Sequence, residues 1–190
     1  MLAGAMSGHE RDEFRRIAHP LEGELVRLRA IEEDDLPRLN ELLWDPDTTT
    51  YLRVTWPEPL AGARAWWEAA RTGDGVNLAI ETIPGDLIGS CDLRHIDDRA
   101  RVAGLGIFIG KPYWGQGYGT DAVRTACRFA FSEMNLAKVE LQVFSNNPRG
   151  LRAYRKVGFV EEGRLRANNF VGGTFVDTIV MGLTPEELAG

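Results

Sequence analysis

Cysteine, histidine and basic charge are all scarce in this chain, and each scarcity removes a class of function. The two cysteines, Cys91 and Cys127, stand alone in apolar segments. Neither has the spacing of a metal or redox motif, so both are expected to be buried free thiols. Three histidines, His9, His19 and His95, are too scattered to assemble a zinc site, and no metal is expected. Lys and Arg number 22 against 28 Asp and Glu, a net charge of −6 with a pI near 5.2. That balance disfavours nucleic acid, whose phosphates demand a basic patch. It suits a cationic partner, but it also serves solubility alone, which is the simpler reading. No apolar run approaches the ~18–20 residues of a membrane span, and no membrane association is expected. The charged stretch from Glu10 to Arg16 lacks the apolar core of a secretory signal. The cytoplasm is the expected compartment.

What is present fits one globular domain. The 190 residues are 44% hydrophobic and 26% charged, ordinary for a single sizeable core. Residues 1–22 show no convincing period and read as an N-terminal extension, with the domain over 23–185. Glu24–Arg29 opens it as a strand. Asp34 and Asp35 cap a helix whose apolar face is Leu36, Leu39, Leu42 and Leu43, and Asp45-Pro46-Asp47 stops it. Tyr51–Pro59, carrying Trp56, reads as a loop. A helix over Ala61–Arg71 follows. Its adjacent Trp66 and Trp67 cannot both face the core: one lines a groove, or both sit at the core edge. Val76–Glu81, Leu87–His95 and Val102–Ile109 form an antiparallel meander, the first two joined at Pro84-Gly85. Lys138–Phe144 is a further strand with Val139, Leu141 and Val143 on one face. Pro148 opens a short helix, and strands over Val160–Arg166 and Thr174–Leu183 close the chain. The expected fold is α+β in one domain: a mixed, mostly antiparallel twisted sheet of about seven strands, flanked by about four helices.

Everything is arranged around Leu105–Thr120. Leu105–Ile109 is an apolar run, Gly110 and Pro112 end it, and glycines follow at 115, 117 and 119. From Thr120 a helical stripe begins, with Val123, Ala126 and Ala130 facing the core. The first amides of a helix lack intrahelical partners and sit at the positive end of its dipole. Glycine lets a phosphate reach them with no Cβ in the way. An ordinary tight turn would look similar. The spacing is neither Gly-x-x-x-x-Gly-Lys-Ser/Thr nor a Rossmann triplet.

Trp114-Gly115-Gln116-Gly117-Tyr118-Gly119 resembles the pyrophosphate loop of the GNAT superfamily of acyl-CoA N-acyltransferases, Gln/Arg-x-x-Gly-x-Gly/Ala, with Trp114 at the first position. Asn147-Pro-Arg-Gly-Leu-Arg-Ala-Tyr154-Arg-Lys-Val-Gly158-Phe159 resembles the family's later motif, with Gly150 where Ser or Ala is usual. Gly163-Arg-Leu-Arg166 and Phe175-Val-Asp177 are most similar to the branch acting on ribosomal-protein N-termini. The resemblance implies acetyl-CoA as co-substrate and acetyl transfer to a primary amine by direct attack in a ternary complex. That acceptor is a protein N-terminus, an amino acid, a polyamine or an aminoglycoside. It further implies that backbone groups of Ile107, Phe108 and Ile109 hold the pantetheine arm. Gly115, Gln116, Gly117, Tyr118, Gly119 and Thr120 would cradle the pyrophosphate, and the Asn147 amide would complete the site. Gly104 and Gly106 leave one strand face bare for close approach.

By the same resemblance Tyr154 is the general acid at the leaving thiolate. In the competing reading it is a core residue, spaced helically with Leu151 and Val157. The general base is not legible, because the places where relatives carry a carboxylate hold Gly104, Gln142 and Asn169 here. Asp92, His95, Glu140, Asp177 or a water relay remain. Missing carboxylates also keep open a CoA-binding sensor or scaffold with little turnover. The charged extension and several tryptophans point to a homodimer.

Overall fold

The computed structural model describes residues 19–53 and 57–189. The strands are β1 (Val26–Ala30), β2 (Val76–Thr82), β3 (Leu87–Asp97), β4 (Val102–Ile109), β5 (Lys138–Phe144), β6 (Val160–Val171) and β7 (Thr174–Leu183). They form one sheet in the order β1-β2-β3-β4-β5-β7-β6. Every neighbouring pair is antiparallel except β4–β5, which is parallel. The helices are α1 (Leu36–Leu43), α2 (Pro46–Thr49), α3 (Leu60–Thr72), α4 (Tyr118–Ser132) and α5 (Pro148–Val157). The α+β mixed sheet is as expected, and the helices exceed the expected four by one short element.

That element is α2. Asp45-Pro46 stops α1 and also starts the next helix: Asp45 Oδ1 accepts from the amides of Asp47 (2.9 Å) and Thr48 (3.2 Å), with Pro46 in the first turn. Asp35 does not cap α1 through its side chain. It closes a capping box with Glu32 around the 3-10 turn Glu33–Asp35. Strand β6 also runs longer than the sequence suggests, to Val171, because Gly172 and Gly173 at φ 56° and 81° make the tight turn into β7. The extension expected for residues 1–22 lies mostly outside the described residues. Its last part folds back, with Glu22 bridging Arg27.

The core lies between the sheet and α4. Val123, Ala126 and Ala130 pack in one buried cluster with Val139, Leu141 and Val143 of β5 and Leu105 of β4. Asp121, in the first turn of α4, is 4% exposed. Its carboxylate accepts three amides from the entry to β1: Glu24 (3.2 Å), Leu25 (2.8 Å) and Val26 (3.0 Å). Bonds to a charged acceptor contribute about 1.5–3 kcal/mol each, so the residue ties the chain's start to the helix that follows the glycine loop.

The two tryptophans of α3 divide. Trp66 is 47% exposed, and Trp67 sits at the core edge with Nε1 donating to the Ile31 carbonyl at 3.0 Å. Cys91 and Cys127 are buried free thiols, and burial pushes both pKa values well above the thiol range.

Candidate active site

The parallel pairing of β4 and β5 lasts only three residues, Val102–Gly104 opposite Lys138–Glu140. Both strands continue beyond it. β4 stays bonded to β3 as far as Ile109, and β5 stays bonded to β7 as far as Phe144. Each is held on its outer edge, so the inner edges of Leu105–Ile109 and Leu141–Phe144 diverge and leave backbone groups without strand partners. Between them lies a cavity of about 840 Å³. An extended chain can pair with such an edge as an added strand.

Of the expected cofactor residues, Ile107, Phe108, Ile109, Gly115, Gly117, Gly119, Thr120 and Asn147 line this cavity. Gln116 and Tyr118 do not. Gln116 Nε2 donates to the Pro112 carbonyl (3.0 Å), and the Tyr118 ring packs edge-on against Tyr113 (6.3 Å). Their backbone amides still belong to the loop. Gly117 is the N-cap of α4 at φ 92°, and the first helix-type bond runs from the Asp121 amide to the Gly117 carbonyl (3.1 Å). The amides of Tyr118, Gly119 and Thr120 therefore precede the helical ladder. A Cβ at Gly115 would meet nothing within 4 Å, and one at Gly119 only Ile109 at 3.7 Å. The loop is open to an anion, as a pyrophosphate requires.

Trp114 departs from the family pattern, and the structure gives it work. Its Nε1 donates to the Ile109 carbonyl at 2.6 Å. Its ring carries the Arg149 guanidinium 3.3 Å from the centroid, with Tyr51 edge-on at 6.4 Å. This stack joins the glycine loop to α5 across the cavity. It also occupies one of the two lone pairs of the Ile109 carbonyl.

Asn147 is nearly buried and caps α5, its Oδ1 accepting the Gly150 amide at 2.9 Å. A Cβ at Gly150 would lie 2.8 Å from Asn147 Nδ2, which accounts for glycine at that position. The cap fixes the side chain at the cavity wall and leaves Nδ2 without a partner among the described residues. Tyr154, about two turns further along α5, also lines the cavity. It is half-buried, with its ring edge-on to Phe159 at 6.0 Å. Burial pushes the phenol up to about 12, partly offset by Arg149.

The bare face at Gly106 is occupied from the neighbouring strand, whereas Gly104 stays open. A Cβ at Gly106 would meet Asp92 Oδ2 at 2.5 Å and Arg94 Nη2 at 2.8 Å. The space is filled by an ion pair from β3, Arg94 Nε to Asp92 Oδ1 at 3.2 Å. Burial raises the Asp92 pKa, against the lowering effect of Arg94 and His95. Asp177 is held low by the Ala167 amide and by Arg164, which suits an anion in a structural pair. Glu140 is the acidic residue among the cavity lining. It faces Gly104 in register at the last paired position. Its cation partner, Lys138 Nζ, stands 3.9 Å away and is itself bound more closely to Glu162 at 2.6 Å.

Residues 26–160 match the family described as acetyltransferase (GNAT) domain. The SPbeta prophage-derived uncharacterized N-acetyltransferase YokL of Bacillus subtilis is 28% identical over 169 residues, spanning 87% of this chain and 93% of YokL. YdaF of the same organism, provisionally named a ribosomal N-acetyltransferase, is 26% identical over 88% of this chain and 95% of its own length. The spermidine N-acetyltransferase of Vibrio cholerae, solved in complex with CoA and spermine, superposes with a TM-score of 0.80 at 26% identity, covering 85% of this chain and 96% of that one. The opened β4–β5 edge, the glycine loop at a helix start and these relatives agree: the chain belongs to the GNAT family and is an acetyl-CoA-dependent N-acetyltransferase.

Proposed function

We propose that the protein moves an acetyl group from acetyl-CoA to a primary amine by direct attack in a ternary complex, and that the catalytic domain spans residues 23–185. The observation that carries this is the wedge between β4 and β5, with unpaired helix amides at one end and Glu140 at its apex. Backbone groups of Ile107, Phe108 and Ile109 hold the extended arm. The amides of Gln116 to Thr120 hold the pyrophosphate, and Asn147 Nδ2 adds a donor. The acceptor nitrogen, once neutral, attacks the thioester carbonyl. Its carbon–nitrogen bond forms as the carbon–sulfur bond breaks, and the Tyr154 hydroxyl gives a proton to the departing sulfur. A panel of amines with acetyl-CoA, read as free CoA released, tests the reaction. Intact cofactor binding with no release for any amine would favour the sensor or scaffold.

Glu140 is the base in this reading. It stands across the strand pair from Gly104, on the same face, beside the point where the strands part. Glu140→Gln should lower kcat/KM ~10²-fold at neutral pH, the scale of one general base. The deficit should shrink as the pH passes the pKa of the acceptor amine, because the amine then arrives already neutral. Wild-type rates at neutral pH in this variant would assign deprotonation to bulk water.

A homodimer and a cytoplasmic location complete the proposal. The tryptophans give the dimer less support than the β6–β7 hairpin does. There Phe170 and Phe175 are 65% and 66% exposed, with ring centroids 5.0 Å apart, an apolar tip suited to a partner surface. Light scattering at micromolar concentration should give twice the chain mass of 21.1 kDa. A value near one chain mass would refute the dimer. The free thiols of Cys91 and Cys127 suit a reducing compartment.

A further inference from the structure

We infer that the acceptor is a small amine carrying its own carboxylate, and that Arg53 receives that carboxylate. The inference rests on the transfer reaction proposed above and concerns its substrate class. Arg53 follows α2 and reaches across to the cavity wall formed by β5 and β7. Its Nη2 donates to Gln142 Oε1 at 3.0 Å and to Thr178 Oγ1 at 3.3 Å. Both acceptors are neutral. Thr178 is fully buried, and its hydroxyl oxygen also accepts from Asn168 Nδ2 (3.1 Å) and Asn169 Nδ2 (2.5 Å). An amide-and-hydroxyl cluster therefore positions the guanidinium without neutralising it. Among the described residues no carboxylate lies within ion-pair distance of Arg53, and Arg53 lines the cavity. A guanidinium has five donors in a planar fork, and the two contacts above use only one of its nitrogens. The rest form a fork–fork partner for a carboxylate.

Two other cations of the lining have partners inside the fold. Arg94 is paired with Asp92, and Arg149 is stacked on Trp114. Arg152 and Lys156, also in the lining, stand on α5, the helix that Asn147 caps, so Arg53 is the uncommitted cation at the wall formed by β5 and β7. A polyamine brings several positive charges and would meet one carboxylate, Glu140, in a lining that also holds five Arg and Lys side chains. Like charges at close quarters oppose binding. A zwitterion meets the opposite situation. Gln142, which holds Arg53, lies two residues from Glu140 on the same face of β5, roughly 6.5 Å along the strand. One molecule can then present its ammonium to Glu140 and its carboxylate to Arg53.

The test compares matched acceptors with the full-length enzyme and acetyl-CoA: phenylalanine against phenethylamine, β-alanine against ethylamine, and spermidine. Release of free CoA is measured for wild type and for Arg53→Gln. The carboxylate-bearing member of a pair should have the higher kcat/KM in wild type, by roughly tenfold or more, the scale of one charge-assisted bond. Arg53→Gln should collapse that advantage through KM, while acetyl-CoA affinity by calorimetry and the melting temperature are retained. The proposal is overturned if spermidine or the decarboxylated amines are the better substrates of wild type. It is equally overturned if the carboxylate advantage survives in Arg53→Gln. Those outcomes leave acetyl transfer standing. No CoA release with any acceptor would overturn the transfer reaction itself and this proposal with it.

Discussion

Gly117→Asp is expected to abolish acetyl-CoA binding in calorimetry while leaving the protein folded. The backbone there is left-handed, at φ 92°. A side chain other than glycine costs about 1–2 kcal/mol in that region, least for Asn and Asp. The nearest atom to a new Cβ is Leu25 Cδ1 at 3.1 Å, the end of a flexible side chain that can give way. Strain is therefore modest. Charge is not. The new carboxylate would stand at the start of α4, before the amides of Tyr118, Gly119 and Thr120, and would compete with the pyrophosphate for those donors while repelling it. A loss of at least 10²-fold, about 2.8 kcal/mol, is expected. Gly117→Ala carries at least as much backbone strain without the charge and should lose much less. Unchanged affinity in Gly117→Asp would remove the glycine loop from the cofactor site.

Local signals placed this loop well. An apolar run ended by Gly110 and Pro112, three alternating glycines and a helical stripe are all short-range features, and the structure has β4, the left-handed Gly117 and α4 where they indicate. Pro148 likewise marks the first turn of a helix, and α5 begins there. What sequence could not supply is the parting of β4 and β5. It depends on where pairing stops, at Gly104 and Glu140, while the outer edges stay bonded. No local pattern encodes the end of a long-range ladder. For the same reason Glu140 looked like any strand residue until its register partner was known.

Two further residues were hidden for different reasons. The glycine-loop pattern assigns Trp114 no role, because backbone amides do the binding. Its side chain instead spans the loop, pinning the Ile109 carbonyl and supporting Arg149. Arg53 sits in a segment with no period, and its partners are 89 and 125 residues away in sequence. The bare face at Gly106 was legible as a gap, but not what fills it. A gap in one strand is filled by its neighbour, and Asp92 and Arg94 are on β3.

Tyr154→Phe should lower kcat ~10²-fold or more, the usual scale for a lost acid, with acetyl-CoA affinity nearly unchanged. The ring packs edge-on to Phe159 and the substitution keeps that contact. Only the oxygen is lost, and it has no hydrogen-bond partner among the described residues, so stability should move by about 1 kcal/mol or less. The raised pKa of about 12 bears on the role. Burial keeps the phenol protonated, so it remains a donor throughout the neutral range and cannot be the base. Because the folded value lies above the ordinary 10, this group leaves stability unchanged below pH 10 and lowers it as pH rises from there through about 12. Wild-type kcat should accordingly show no fall assignable to Tyr154 at neutral or mildly alkaline pH. A core tyrosine with no part in transfer would give a different result: the Phe variant would match wild type in kcat. Measuring kcat and melting temperature on that one protein separates the two readings. A stable and fully active Tyr154→Phe enzyme would show that the leaving sulfur takes its proton from elsewhere.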